Sequence, residues 1–124
     1  MKNQTICKDA PSALGPYSQA IEINGMLFVS GQTPLIGDTG EIPEGIVAQT
    51  RQALESVKAI ITKAGGNMDN IVKCSVFLKD MNEFAEMNGV YGEFFKEPYP
   101  ARTTVEVARL PKDVKVEIDA IAVL

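Results

Sequence analysis

Apolar side chains recur every three or four residues between positions 46 and 64, a spacing that predicts an amphipathic helix with one buried face. The residues of this stripe are Ile46, Ala53, Leu54, Val57, Ile60, Ile61 and Ala64. Gly65-Gly66 follows directly. Glycine adopts the left-handed conformation that closes many helices without a steric penalty, so the helix is predicted to end there.

A second, shorter helix is predicted from Asp80 to about Phe95. Asp80 would be its N-cap, and Glu83 would complete a variant of the capping box. The apolar residues that this helix would bury are Phe84, Met87, Tyr91 and either Phe94 or Phe95. Pro98 and Pro100 follow and are expected to stop it, because a residue that precedes proline disfavours the helical conformation.

Five segments favour extended structure: residues 17–23, 26–30, 71–78, 103–108 and 114–123. Asn24-Gly25 predicts a type I′ hairpin turn between the first two, because both residues accept a positive φ. Gly31-Gln32-Thr33-Pro34 is expected to end the second strand, and residues 35–45 are expected to form a loop.

Side chains of the later predicted strands also alternate between two faces. Val72, Cys74, Val76 and Leu78 would share one face of the third strand. Leu110-Pro111-Lys112-Asp113 predicts a turn that joins the last two strands in a hairpin. In the last strand, Val114, Val116, Ile118, Ala120 and Ala122 would form one face. The other face would hold Lys115, Glu117, Asp119, Ile121 and Val123, and this mixture of charged and apolar side chains suggests a partial subunit interface.

The order of elements, ββ-α-β-α-ββ, predicts an α+β fold in which two helices pack on one face of a roughly six-stranded mixed sheet. The chain has 124 residues, which suits a single domain spanning 1–124. No apolar run reaches the ~18 residues of a membrane-spanning helix. The first five residues lack the apolar stretch of a signal peptide. A cytoplasmic protein without a membrane partner is therefore expected.

The composition excludes several kinds of binding surface and catalytic site. The net charge is −4 and the chain contains only three arginines, Arg51, Arg102 and Arg109, which argues against a nucleic-acid-binding surface. Cys7 and Cys74 fit no metal or redox spacing and are expected to be free thiols. The absence of histidine removes Ser-His-Asp triads, Cys-His dyads and histidine-ligated metals. We expect no metal and no cofactor.

Two charged residues in the final third are candidates for catalysis. Glu117 lies in an otherwise apolar strand, where it would either face solvent or form a half-buried carboxylate with a raised pKa that acts as a general acid or base. Arg102 opens the preceding strand. It would be a surface residue, a salt-bridge partner of an acid such as Glu117, or a two-pronged clamp for a substrate carboxylate. Because Arg102 and Glu117 would belong to the same hairpin, one small ligand could touch both.

The other candidates also have ordinary structural explanations. Tyr17, Ser30 and Gly31 lie in turn-like sequences, although glycine also allows backbone N–H groups to approach a ligand closely. Asn88 would serve local hydrogen bonding or contact a ligand. Thr104 favours a strand and lacks a visible base beside it, so it makes a poor nucleophile.

Four motifs, in this order and spacing, resemble the RidA/YjgF family of reactive-intermediate deaminases over nearly the whole chain. They are Gly15-Pro16-Tyr17-Ser18-Gln19, Val29-Ser30-Gly31-Gln32, Pro100-Ala101-Arg102-Thr103 continuing to Pro111, and Val116-Glu117-Ile118-Asp119-Ala120-Ile121-Ala122. The resemblance implies a chorismate-mutase-like fold and a homotrimer with clefts between subunits. It also implies hydrolysis of 2-aminoacrylate and 2-iminobutyrate, products of pyridoxal-phosphate dehydratases, to keto acids and ammonia.

By position, the resemblance implies that Arg102 binds the substrate carboxylate and that Glu117 positions or activates water. Tyr17, Ser30, Gly31 and Asn88 would shape the cleft, and Thr104 would be a further substrate-binding residue. Thr104 stands where close family members often have cysteine, which keeps a small polar group but loses thiol reactivity. Two alternatives stay open: a non-catalytic module that binds small carboxylates, and a ribonuclease or translation inhibitor, against which the acidic balance argues.

Overall fold

The computed structural model describes residues 1–124 as six strands and two α-helices. The strands are β1 (Asn3–Thr5), β2 (Ala20–Ile23), β3 (Met26–Gln32), β4 (Ile71–Leu78), β5 (Ala101–Glu106) and β6 (Val116–Val123). The helices are α1 (Gly45–Lys63) and α2 (Phe84–Glu93). Three short 3₁₀ turns, Met68–Asn70, Met81–Glu83 and Pro111–Asp113, precede β4, α2 and β6. The sequence pattern did not predict β1.

The strands form one mixed sheet in the order β1-β2-β3-β6-β4-β5. All neighbours are antiparallel except β4 and β5, which are parallel. The predicted hairpin between the last two strands is therefore wrong, because β4 lies between β5 and β6. The predicted α+β class, with two helices on a six-stranded sheet, is confirmed.

The core lies between the helices and one face of the sheet. The predicted apolar stripe of α1 is buried except for Ala64, which is half-buried beyond the helix end. The five apolar residues predicted to share a face of the last strand are all buried. Cys7 and Cys74 are free thiols, as predicted. Burial raises the pKa of the Cys74 thiol to about 11, so this cysteine stays protonated in the core.

Two local irregularities shift side chains from their predicted positions. The register between β4 and β6 shifts between Ile71 and Lys73, so Ile71 is buried and Val72 is exposed. The prediction that Val72 shares a face with Cys74, Val76 and Leu78 is wrong for this reason. Strand β3 also continues through Gly31 and Gln32 instead of ending, because a bulge between Val29 and Gln32 absorbs an extra residue.

The hairpin and helix-end signals agree with the structure more closely. Asn24 and Gly25 both have positive φ, at 51° and 76°, as the predicted turn requires. Gly65 follows α1 with a φ of 98°. Asp80 caps the 3₁₀ turn that leads into α2 by accepting from the Asn82 N–H at 2.9 Å, but Glu83 instead pairs with Lys115. Neither helix combines the length and apolar character that a membrane crossing requires.

The second face of the sheet, opposite the helices, carries apolar side chains that nothing in the chain covers. Met26, Phe28 and Val123 are 38%, 41% and 46% exposed, and Phe28 stands directly opposite Ile121. We call this surface the open sheet face. Glu117 lies on it, next to Phe77 in register.

Candidate functional site

A bulge in β3 and a carboxylate in β6 form the centre of the first candidate site. Val29 pairs with Ala120 and Gln32 with Ile118, so Ser30 and Gly31 together face Asp119. A Cβ atom on Gly31 would lie 2.9 Å from the carboxyl carbon of Glu117. Only glycine at this position lets the carboxylate approach the backbone so closely.

Glu117 has no hydrogen bond or ion pair with another protein group, although its side chain is half-buried. Burial raises the pKa of its carboxyl group, and the negative charge of Asp119 raises it further. A carboxylate with a raised pKa is a better proton acceptor than an exposed one, and this one has no partner occupying its oxygens. The arrangement suits a general base.

The segment before β2 supplies the opposite wall of this site. It is fastened by Gln19, whose buried amide accepts a hydrogen bond from the Cys7 N–H at 2.7 Å and donates to the Pro11 carbonyl at 2.8 Å. Ser30 is tied to the same segment, since its hydroxyl donates to the Ser18 carbonyl at 2.6 Å.

The result is a cleft of about 470 Å³ that brings together four of the predicted residues, Tyr17, Ser30, Gly31 and Glu117. Its other lining residues include Leu14, Gln19 and Lys112. Sequence reasoning missed Lys112 as a wall of the site. Its φ of 56° carries no signature in the sequence, because lysine has no preference for that conformation.

Arg102 lies at the edge of the sheet on β5, beneath α2. Its Nη1 donates a hydrogen bond of 2.7 Å to the Asn88 side-chain oxygen. Its guanidinium carbon lies 4.7 Å from the centre of the Tyr91 ring and 5.5 Å from that of Phe84. A second cleft, of about 510 Å³, opens beside it and is lined by Asn88, Tyr91, Gly92, Tyr99, Pro100 and Arg102.

The structure does not bring Arg102 and Glu117 together within one chain. Arg102 is in register with buried Cys74 on the helix side of the sheet, whereas Glu117 is in register with Phe77 on the open sheet face. The expectation that one ligand could touch both within a hairpin is wrong for this reason. The alternative salt bridge between them is also absent, because Arg102 forms no ion pair.

Comparison with known proteins identifies the family. The sequence profile described as Endoribonuclease L-PSP matches residues 7–124. The chain is also 50% identical, over 126 aligned positions, to the 2-iminobutanoate/2-iminopropanoate deaminase of Escherichia coli, covering 99% of this chain and 98% of the relative. The chain belongs to the RidA/YjgF family. The predicted resemblance is confirmed.

Other members of the RidA/YjgF family are similarly close. A RutC family protein of Pasteurella multocida is 57% identical over 119 residues, covering 93% of this chain and 92% of the relative. The crystal structure of E. coli TdcF with bound serine superimposes with a TM-score of 0.94 at 49% identity, covering 98% of both chains. Such agreement shows that the fold described above is the RidA fold.

The remaining candidate, Thr104, lies in neither cleft. It is in register with Val76 on the helix side of β5, two residues beyond Arg102. Its hydroxyl oxygen is buried and has no hydrogen-bond partner. No side chain that could act as a base bonds to it, so the structure gives Thr104 no role as a nucleophile.

Proposed function

We propose that this RidA protein is a hydrolase that converts reactive 2-imino and enamino acids to 2-keto acids and ammonia. Its substrates would be 2-aminoacrylate and 2-iminobutyrate, and their removal would protect pyridoxal-phosphate enzymes. The relative with this activity in its name, at 50% identity over nearly the whole chain, supports the reaction class. The observation that carries the proposal is Arg102, an arginine without an ion pair beside an open cleft.

In the proposed reaction, Arg102 binds the substrate carboxylate and orients the C=N carbon of the imine, which 2-aminoacrylate forms when one proton moves from its nitrogen to its terminal carbon. Glu117 accepts a proton from water as the water oxygen bonds to that carbon. Transfer of this proton to nitrogen and collapse of the resulting carbinolamine release ammonia and leave the keto acid, so one water is consumed. An imine carbon is already electrophilic, and positioned acid–base catalysis of about 10²–10⁴-fold would suffice without a covalent intermediate.

The two clefts would become one active site between neighbouring subunits. Within the chain, the Arg102 cleft and the Glu117 cleft lie on opposite faces of the sheet. A second copy packed against the open sheet face would bring its own Arg102 towards Glu117, Tyr17, Ser30 and Gly31. We therefore propose a homotrimer with intersubunit clefts, acting in the cytoplasm, where both free cysteines would stay reduced.

A coupled assay tests the proposal. Threonine dehydratase releases an imine precursor of 2-ketobutyrate, and the RidA protein should accelerate keto-acid release. Arg102→Ala is expected to abolish the acceleration. Arg102→Lys is expected to reduce it about tenfold or more, because an ammonium group cannot reproduce the planar two-donor geometry. Arg51→Lys is the matched control, since Arg51 is paired with Glu93, neither residue lines either cleft, and the change should leave the rate unaltered. A wild-type protein that gives no acceleration over dehydratase alone would contradict the proposal.

A further inference from the structure

We propose that Asn88 is a positioning residue that fixes Arg102 without neutralising it, and that an amide rather than an acid at this position determines whether the site accepts an anionic ligand. This inference rests on the proposed function, in which Arg102 binds a carboxylate. It assigns to Asn88 a role that acts through Arg102.

The three arginines of the chain differ in what holds them. Arg51 forms an ion pair with Glu93 at 3.0 Å, and Arg109 forms one with Asp113 at 2.7 Å. Arg102 alone is held by uncharged groups. Its positive charge is therefore not offset by a neighbouring carboxylate.

The uncharged groups nevertheless fix the guanidinium from several directions. The Asn88 oxygen accepts from Nη1 at 2.7 Å, a short contact for a hydrogen bond to a charged donor. The rings of Tyr91 and Phe84 lie 4.7 Å and 5.5 Å from the guanidinium carbon, within the range of cation–π attraction. Neither Nε nor Nη2 donates to a protein group, so both remain available to a ligand.

These contacts come from one face of α2. Phe84, Asn88 and Tyr91 are spaced at intervals of four and three residues, which places them on the same side of a helix. Tyr91 is itself 6% exposed and stacks on Phe95 with ring centres 4.6 Å apart. A packed helix face therefore sets the direction of the guanidinium before a ligand arrives, and this lowers the entropic cost of binding.

An aspartate at position 88 would have nearly the same shape and would hold Arg102 more tightly. It would also place a negative charge where the ligand carboxylate approaches, and like charges at close range oppose binding. Holding the guanidinium in place requires a hydrogen-bond acceptor at position 88, whereas binding an anionic ligand requires that this acceptor carry no negative charge. Asparagine meets both requirements.

Three variants separate these effects. Asn88→Asp adds a charge and keeps a hydrogen-bond acceptor, whereas Asn88→Leu removes the acceptor and adds no charge. Asn82→Asp is the matched control, because Asn82 is exposed, lies just before α2 and makes no side-chain hydrogen bond. Pyruvate, an unreactive product, serves as the probe. Its dissociation constant is measured by calorimetry, alongside KM, kcat and the melting temperature of each variant.

We expect Asn88→Asp to weaken pyruvate binding about tenfold or more and to raise KM in parallel, with a melting temperature equal to or above that of the wild type. Asn88→Leu should weaken binding less, and Asn82→Asp should match the wild type. A merely structural role predicts the reverse order, with leucine worse than aspartate. Three results would each overturn the inference. They are weaker binding by Asn88→Leu than by Asn88→Asp, normal pyruvate binding by Asn88→Asp, and no pyruvate binding by the wild type.

The result is distinguishable from failure of the proposed function. If the wild type binds pyruvate but does not accelerate imine hydrolysis, the deaminase proposal fails. The pyruvate affinities of the wild type, Asn88→Asp and Asn88→Leu still decide the role of Asn88. If hydrolysis is accelerated but the affinities of Asn88→Asp and the wild type agree, only the positioning role is lost.

Discussion

At the scale of single residues, the proposed chemistry depends on two side chains that lack the partners their charges would usually find. Glu117 is half-buried without a hydrogen-bond donor, and its pKa is raised. Arg102 is held by neutral groups. Each arrangement leaves a group ready for a ligand or a proton. Because polar groups without partners usually cost stability, these positions are typical of function.

The first prediction concerns Glu117→Gln. Because the folded protein binds the Glu117 proton more tightly than the unfolded chain does, stability is lost as the pH rises through the raised pKa. The amide should therefore increase the free energy of unfolding at pH 7, and this gain should disappear below the carboxyl pKa values of both states. Chemical denaturation of both proteins at pH 7 and at pH 4 measures it.

The same variant should lose turnover while it keeps pyruvate binding. In the wild type, the rate should fall as the pH drops through the Glu117 pKa, because only the ionised carboxylate accepts a proton. Unchanged turnover in Glu117→Gln would contradict the base assignment. Pyruvate binding without turnover in either protein would instead support a non-catalytic binding module.

At the scale of elements, the Glu117 cleft depends on a segment without regular structure. Residues 6–19 form no strand or helix, yet they carry Tyr17 and form a wall of the cleft. Their backbone is fixed by the side chain of Gln19 instead of by a strand ladder. Buried amides of this kind take the place of secondary structure where the chain must leave the sheet.

The second prediction is that Gln19→Leu will destabilise the protein by about 1–3 kcal/mol, because the Cys7 N–H and the Pro11 carbonyl lose their buried partner. The amide of Cys7 should exchange with solvent faster, and activity should fall as Tyr17 becomes less ordered. Chemical denaturation and hydrogen exchange measure the two effects.

Gln52→Leu is the matched control for this change. The Gln52 amide makes one long contact of 3.5 Å, so its loss should alter stability by less than about 0.5 kcal/mol. Equal effects of the two substitutions, or unchanged exchange at Cys7 in Gln19→Leu, would show that the segment is not fastened by Gln19.

At the scale of the whole molecule, the proposed assembly would account both for the uncovered apolar surface and for the separation of Arg102 from Glu117. The open sheet face exposes Met26, Phe28 and Val123, whereas the opposite face is covered by two helices. The Arg102 and Glu117 clefts lie on different faces of the same sheet. Assembly would cover the open sheet face and would join the Arg102 cleft of one subunit to the Glu117 cleft of another. A substitution that prevents assembly should therefore also abolish catalysis.

The third prediction follows for Phe28→Asp. A charge on the open sheet face should oppose association and yield a monomer, which analytical ultracentrifugation would detect. Deaminase activity should fall with the loss of assembly. Val47→Asp is the matched control: Val47 is similarly exposed, at 43%, but lies near the start of α1. A Phe28→Asp protein that is monomeric but fully active would refute the intersubunit site.

The sequence alone determined most of the elements, because their signals are local. Helix α1 follows from its 3.6-residue periodicity and from Gly65, and the first hairpin turn follows from Asn24-Gly25. The candidates Arg102 and Glu117 came from their residue type and position in the chain, and their roles came from motifs that resemble the RidA/YjgF family. None of these conclusions required knowledge of which strands are neighbours.

Tertiary structure alone decided strand order and the faces on which charged residues lie. Inserting β4 between β5 and β6 separates Arg102 from Glu117 by one strand, and their registers with β4, opposite Cys74 and Phe77, place them on different faces. The bulge at Ser30 and the shift at Val72 likewise depend on the partner strand, since a register exists only between two strands. Periodicity is a property of one segment, whereas strand pairing is a property of two, and the candidate site of this protein depends on strand pairing.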